Sequence, residues 1–157
     1  MPKLDSIDLK ILKALQKNAR LSSSELAEEV SLTSSPCWRR VKQLEDSGII
    51  TGYHANIDNR QLGYTVKAFV SVTLERMDKQ RLEEFELAIR DTPEILSCHR
   101  VSGKFDYQLM VVSHDMSTFG DYAKTHINGL PYVKEVYTSF VLDEIKAEVA
   151  PPMRSIT

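Results

Sequence analysis

The chain has 157 residues, of which 42% are hydrophobic and 27% are charged, so it can form one ordinary domain or two small ones. No apolar run approaches the roughly 18 to 20 residues of a membrane span, and the start lacks a secretion-signal pattern, so we expect a cytoplasmic protein. The net charge of −2 argues against a protein that coats nucleic acid nonspecifically.

The first 60 residues predict three helices followed by a small β element. Asp5 can cap the first helix, and Ser22 with Glu25 forms a capping-box pattern for a second that runs to about residue 30. Thr33 or Ser34 can cap the third helix, which Gly48 ends. Residues 49–57 are β-prone and predict a hairpin or strand pair. We place a connector at residues 58–63 and the end of this domain at residue 60.

The second half predicts the order βαββαβ over a domain of residues 61–150. Apolar and polar residues alternate over 66–74, as in a strand with one core face. Residues 95–101 and 107–112 are interpreted as two strands of a hairpin, and a last strand runs from residue 133 to about 142. Amphipathic helices lie between these strands. This order predicts a ferredoxin-like sandwich, so the whole chain is assigned to the α+β class. One face of the sheet would then be exposed, and a partner subunit is the simplest candidate to cover it. Residues 151–157 are interpreted as a tail.

The third helix has the composition of a DNA-reading surface. At about 100° per residue, Cys37, Val41 and Leu44 define its buried face. Hydroxyls and cations suit phosphates, and Arg or Gln can make bidentate contacts to bases. The opposite face therefore predicts a recognition helix for the major groove. Its members are Ser35, Trp38, Arg39, Lys42 and Gln43, with Ser34 and Arg40 on the flanks.

The alternative interpretation of this helix is an ordinary solvated face. Residues 31–44 contain no acid, and Trp38 stands where a solvated face would have a polar residue, so DNA binding is favoured. Residues 1–60 hold nine Lys/Arg against eight Asp/Glu, whereas the rest hold eleven against fourteen. His54 could touch a phosphate from the wing, or it could be only a surface residue.

The other side chains with chemical potential form no catalytic pattern. The four histidines are scattered without metal-ligand spacing, and no phosphate-binding glycine loop or nucleophile-base arrangement occurs, so we expect no enzyme, no metal and no cofactor. Cys37 and Cys98 are expected to be buried free thiols rather than a disulfide or metal pair. RNA binding is less attractive, because the aromatic residues form no obvious stacking platform.

Short motifs along nearly the whole chain resemble the Lrp/AsnC, or feast/famine, family of regulators. They include Ser35-Pro36-Cys37, Arg39-Arg40-Val41, Gly48-Ile49-Ile50, Val101 to Tyr107 and Ser139 to Lys146. The resemblance implies a winged helix-turn-helix followed by a RAM domain, which is similar in shape to amino-acid-sensing ACT modules. It also implies a transcription regulator that forms dimers, often assembled into octamers, with double-stranded DNA and an amino acid or related metabolite as ligands. An architectural protein that compacts DNA without an effector is the alternative.

The resemblance further implies an effector site between dimers. Positions matching the family pattern on one side are Arg100, Val101, Ser102, Gly103 and Asp106; those matching positions around effector response are Met116, Thr138, Ser139, Phe140 and Val141. The Asp106 carboxylate could bind an ammonium group, or it could cap backbone amides in a hairpin turn. Arg100 replaces the aliphatic residue of leucine-responsive relatives, which leaves acidic, polar or differently shaped effectors open.

Overall fold

The computed structural model describes residues 4–75 and 78–146, and these form two compact units, residues 4–56 and 57–146. The sequence-based boundary after residue 60 falls a few residues into the second unit. The interpretation of residues 151–157 as a tail lies outside the described residues. Within the described ranges, no helix is both long and apolar enough to cross a membrane.

The first unit contains the three predicted helices, α1 (Ser6–Lys17), α2 (Ser23–Glu29) and α3 (Ser34–Asp46). Asp5 caps α1 in a reciprocal box with Asp8, and Ser22 caps α2 in the same way with Glu25. Thr33 occupies the capping position of α3 but makes no side-chain cap bond there. The apolar faces of the three helices meet in one core, which contains Ile11, Ala14, Leu26, Ala27, Val30, Cys37 and Leu44.

Both α2 and α3 end in the same backbone motif, with one residue in the left-handed region. After α3 this residue is Gly48, with φ of 71°, and the amides of Gly48 and Ile49 donate to Glu45 and Leu44. After α2 it is Ser31, with φ of 59°. The tight turn between α2 and α3 is therefore built on a serine, where glycine is the usual residue.

The predicted hairpin or strand pair over residues 49–57 is wrong for this chain, because none of these residues forms a strand. From Thr51 to Ile57 every side chain is exposed, so the segment has no apolar face to bury. A β-prone segment becomes a strand only when a neighbouring segment completes its hydrogen bonds. No described segment of this chain pairs with it.

The second unit confirms the βαββαβ order. The elements are β1 (Val66–Leu74), α4 (Lys79–Arg90), β2 (Ile95–Arg100), β3 (Tyr107–Ser113), α5 (Met116–Tyr122) and β4 (Val133–Phe140). A wider helical turn, Ala123–Ile127, extends α5. The four strands form one antiparallel sheet in the order β2-β3-β1-β4.

Both helices pack on one face of this sheet. Their buried residues, such as Phe85 of α4 and Phe119 of α5, meet a core that alternate residues of β1 and β3 supply: Ala68, Val70, Val72, Leu74, Tyr107, Leu109 and Val111. The other sheet face holds Phe69 and Tyr137, which are 38% and 58% exposed in the single chain. The expected bare sheet face is therefore present, and it carries aromatic side chains.

Candidate DNA-binding surface and effector site

The outward face of α3 presents the polar set expected of a recognition helix. Cys37 and Leu44 are buried, and burial raises the pKa of the Cys37 thiol. On the opposite side Arg39 is exposed and, among the described residues, makes no ion pair. The other exposed members of this face are Ser34, Ser35, Trp38, Lys42 and Gln43.

Arg40 has a different environment from its neighbours. Its Nη1 lies 2.7 Å from Asp5 Oδ2 and 2.7 Å from Asp8 Oδ1, so it joins α3 to the first turn of α1. The hydrogen bonds that Arg40 donates to the carboxylates of Asp8 and Asp5 raise the pKa of Arg40. The hydrogen bonds that the Asp8 amide and Arg40 donate to Asp5 lower the pKa of Asp5. The structure thus engages Arg40 in holding two helices together, a role that helical periodicity alone did not reveal.

Two further side chains of the predicted DNA surface have partners within the first unit. Lys42 Nζ lies 3.1 Å from Asp46 Oδ1, an exposed pair that is weak enough to rearrange on DNA binding. Trp38 is 59% exposed, yet it lines an apolar cavity of about 160 Å³ together with Leu15, Leu21 and Tyr53. Its ring is therefore supported on one side and open to solvent on the other.

The segment after α3 is fixed by Tyr53. Its hydroxyl donates to Glu45 Oε1 at 2.9 Å. The pKa of Tyr53 is raised, mainly by partial burial and to a smaller extent by this hydrogen bond. His54 follows on the exposed side of this attachment. The bond between Tyr53 and Glu45, which the sequence did not reveal, ties the residue before His54 to α3.

In the second unit, Asp106 forms part of the turn between β2 and β3. Its Oδ2 accepts the Leu74 amide at 2.8 Å, and its own amide donates to the Val72 carbonyl. The Val101 amide donates to the Asp106 carbonyl at 2.9 Å, which closes the turn. The Asp106 carboxylate thus caps a backbone amide, but that amide belongs to β1 and not to the hairpin turn. A carboxylate has two oxygens and accepts more than one hydrogen bond, so a ligand contact is compatible with it.

The other effector candidates near this turn have different surroundings. Val101, Ser102 and Gly103 are exposed, and Gly103 has φ of 125°, which favours glycine. Arg100 lines a cavity of about 400 Å³ between β2 and α4, with Glu86, Arg90 and Tyr107. The Tyr107 hydroxyl donates to Glu86 Oε1 at 2.7 Å. Burial is the largest cause of the raised pKa of Tyr107, and this hydrogen bond is the next largest. The sequence gives no signal for this cavity.

The effector-response candidates lie where α5 begins and β4 ends. Met116 is the first residue of α5 and is 56% exposed. The Phe140 ring packs edge-on against Phe119 with centroids 5.0 Å apart, and the Val141 amide donates to the Lys67 carbonyl. Thr138 pairs with Val70, and Ser139 with Phe69.

The structure does not bring the ten effector candidates together in one chain. Val72 pairs with Tyr107, beside the turn that holds Asp106, whereas Ala68 pairs with Phe140. The turn and the end of β4 therefore lie at opposite ends of β1. The four residues from Val72 to Ala68 cover about 13 Å at about 3.3 Å per residue.

Thiols and metal-binding side chains add no second site to the described part of the chain. Cys37 and Cys98 are both free thiols; Cys37 is buried as expected, but Cys98 is only partly buried. No group of three or more His, Cys, Asp or Glu residues within residues 4–75 and 78–146 could hold a metal ion.

Comparisons with known proteins match both units. Residues 4–51 match the family described as winged helix-turn-helix DNA-binding, and residues 67–151 match the Lrp/AsnC ligand binding domain. The chain is 38% identical to the Bkd operon transcriptional regulator of Pseudomonas aeruginosa, over 98% of this chain and 100% of that protein. It is 40% identical to the leucine-responsive regulatory protein of Haemophilus influenzae, over 91% and 86% of the two chains.

A solved structure gives the same result. A Neisseria meningitidis transcriptional regulator, crystallised in complex with L-methionine, is 40% identical and superposes with a TM-score of 0.90 over 95% of this chain and 96% of that one. The matches to both domains, the relatives and the fold together show that this chain belongs to the Lrp/AsnC family of transcriptional regulators.

Proposed function

We propose that this chain regulates transcription in the cytoplasm, without catalysis, by reading operator DNA with the outward face of α3. The observation that carries the proposal is that one face of α3 is buried while the other is continuously exposed and free of acids until Glu45. Arg39 and Gln43 can read base edges, Trp38 can make apolar contacts with thymine methyl groups, and Ser34, Ser35 and Lys42 can bind phosphates. His54 adds a phosphate contact. Arg40 either holds α3 against α1 through its ion pairs or binds a DNA phosphate at the flank of the helix.

The test is a comparison of operator and random DNA at one salt concentration. Operators are first selected from random duplexes with the wild-type protein. Arg39→Ala should then weaken operator binding more than random-DNA binding, whereas Lys42→Ala should weaken both nearly alike and flatten the salt dependence. Equal operator and random-DNA affinity for the wild-type protein would instead favour an architectural DNA-compacting protein, the competing function.

The proposal includes assembly into a homodimer, which can build up to an octamer. The face of the sheet opposite α4 and α5 supports it, because Phe69 and Tyr137 are exposed there in the single chain. Covering such aromatic residues with a second copy removes apolar surface from water. Light scattering on the eluting protein measures the assembly directly, and Tyr137→Glu should reduce the assembled mass. A wild-type monomer would contradict this part of the proposal.

We also propose that an amino acid binds between copies of the chain and changes DNA binding. The separation of the candidates supports a shared site. A free amino acid can touch Asp106 of one copy and Met116 or Phe140 of another, but it is too short to span the roughly 13 Å along β1 within one chain. Asp106 would bind the ammonium group, and Arg100 favours a ligand with a negative or polar end.

The ligand is tested by calorimetry with a panel of free amino acids. L-Methionine comes first, because the similar Neisseria regulator was crystallised with it, and acidic amino acids come next. Asp106→Asn should lower the affinity of the bound amino acid at least about tenfold, as loss of a charge-assisted bond does. A wild-type protein that binds no amino acid would contradict this part.

A further inference from the structure

The connector between the two units is folded onto the second unit and is held there by His114. The Tyr64 ring stacks on the His114 ring, with centroids 4.4 Å apart and planes 16° from parallel. His114 Nδ1 lies 3.0 Å from the Gly63 carbonyl oxygen. Because that oxygen can only accept, the shared hydrogen lies on Nδ1. The Thr65 hydroxyl completes the attachment by donating to the His114 carbonyl.

Gly63 lets the connector pass close to this ring. Its φ of 88° is in the region that favours glycine, and a Cβ there would lie 3.3 Å from His114 Nδ1. Upstream, consecutive turns from Asp58 to Gly63 are closed by backbone bonds such as that from the Gly63 amide to the Arg60 carbonyl, at 3.0 Å. The connector from residue 58 onward is therefore a folded extension of the second unit.

Little chain remains between this extension and the DNA-binding unit. Tyr53 is tied to α3 through Glu45, so only residues 54–57 separate the two attachments. Four extended residues reach at most about 14 Å. If the attachment at His114 were lost and the turns from Asp58 to Gly63 also opened, residues 54–65 could extend to about 40 Å. The attachment at His114 thus limits how far the connector can move away from the second unit.

We propose that His114 is a positioning residue that sets which half-site spacings the assembled protein can read. The proposal rests on the proposed function, in which linked copies of α3 bind two half-sites. A short tether restricts where the second α3 can reach once the first is bound, whereas a longer tether tolerates displaced half-sites but lowers the effective concentration at the correct spacing. Contacts of α3 with a single half-site do not depend on His114.

The experiment measures the affinity for three duplexes: an operator selected by the wild-type full-length protein, the same operator with five base pairs inserted between the half-sites, and a single half-site. The insertion rotates one half-site by about half a helical turn. The spacing penalty is the factor by which the five-base-pair insertion lowers operator affinity. His114→Ala should have a spacing penalty about fivefold or more smaller than that of the wild type, and its affinity for the single half-site should be unchanged. Thr65→Val removes one bond with little change of shape and should shift the penalty in the same direction.

His126→Ala is the matched control. His126 is also exposed and stacks on a tyrosine of the second unit, Tyr122, with centroids 4.9 Å apart, but it does not touch the connector. This control should keep the wild-type spacing penalty. The role of His114 would be overturned if His114→Ala and Thr65→Val both kept the spacing penalty of the wild type. It would also be overturned if His126→Ala reduced the penalty as much as His114→Ala does. A wild-type protein that does not prefer its operator over random DNA would overturn the proposed function as well.

Discussion

The ends of α2 and α3 make a paired prediction about stability, because the same left-handed position is a serine in one and a glycine in the other. Ser31 has φ of 59° and an exposed side chain, so Ser31→Gly removes no packing contact. The left-handed conformation costs an L-residue about 1–2 kcal/mol, and glycine loses about 0.5–1 kcal/mol more backbone entropy on folding. Ser31→Gly should therefore stabilise the first unit by about 0.5–1 kcal/mol.

Gly48→Ser is the reciprocal change and should destabilise by a similar amount. Nothing lies within 4 Å of a Cβ built on Gly48, so its cost is conformational rather than steric. Trp38 is the single tryptophan of the chain and lies in α3, so its fluorescence during urea unfolding follows the first unit. Circular dichroism provides a second probe. A lower midpoint for Ser31→Gly, or the same sign for both variants, would refute this reasoning.

Three more predictions concern the two sites. Arg39→Ala should lose about 5- to 150-fold in operator affinity, and Arg39→Lys should not restore it, because lysine lacks the bidentate fork. An equal loss on random DNA, measured by fluorescence anisotropy, would contradict base readout. The lowered pKa of Asp5 means that its contribution is present above its usual pKa of 3.8 and is lost as the pH falls through the lower folded value. The difference in thermal midpoint between wild type and Asp5→Asn should accordingly be constant from about pH 5 to 7 and shrink below about pH 4, whereas a pH-independent difference would exclude this charge effect. Asp106→Ala should lower the unfolding free energy by about 1–3 kcal/mol, because the Leu74 amide loses its acceptor, and an unchanged urea midpoint would show that water replaces it.

Much of the architecture could be predicted from the sequence because burial imposes a regular period. The strand predicted at residues 66–74 is observed with the same bounds, since alternate residues from Ala68 to Leu74 face the helices. The caps of α1 and α2 were equally readable, because Asp5 and Ser22 satisfy nearby amides within three residues. Local chemistry and a single buried face were sufficient in these cases.

The features that the sequence did not reveal depend on contacts between distant residues or on an unexpected backbone conformation. Arg40 pairs with acids more than 30 positions away, and helical periodicity gives no information about such partners. Ser31 adopts a left-handed conformation without the glycine that would mark it. The β-prone residues 49–57 lack a pairing partner, and intrinsic preference cannot supply one.

The position of Asp106 connects the fold of the second unit to its proposed ligand. One carboxylate oxygen holds the Leu74 amide, at the point where the pairing of β1 with β4 shifts register between Thr73 and Leu74. The carboxylate is therefore fixed before a ligand arrives, which reduces the entropy lost on binding an ammonium group. The response candidates lie toward the other end of β1, so in the proposed function a second copy supplies them. Under the proposed function, ligand binding and assembly should thus strengthen each other, and L-methionine titrations at several protein concentrations would measure that linkage.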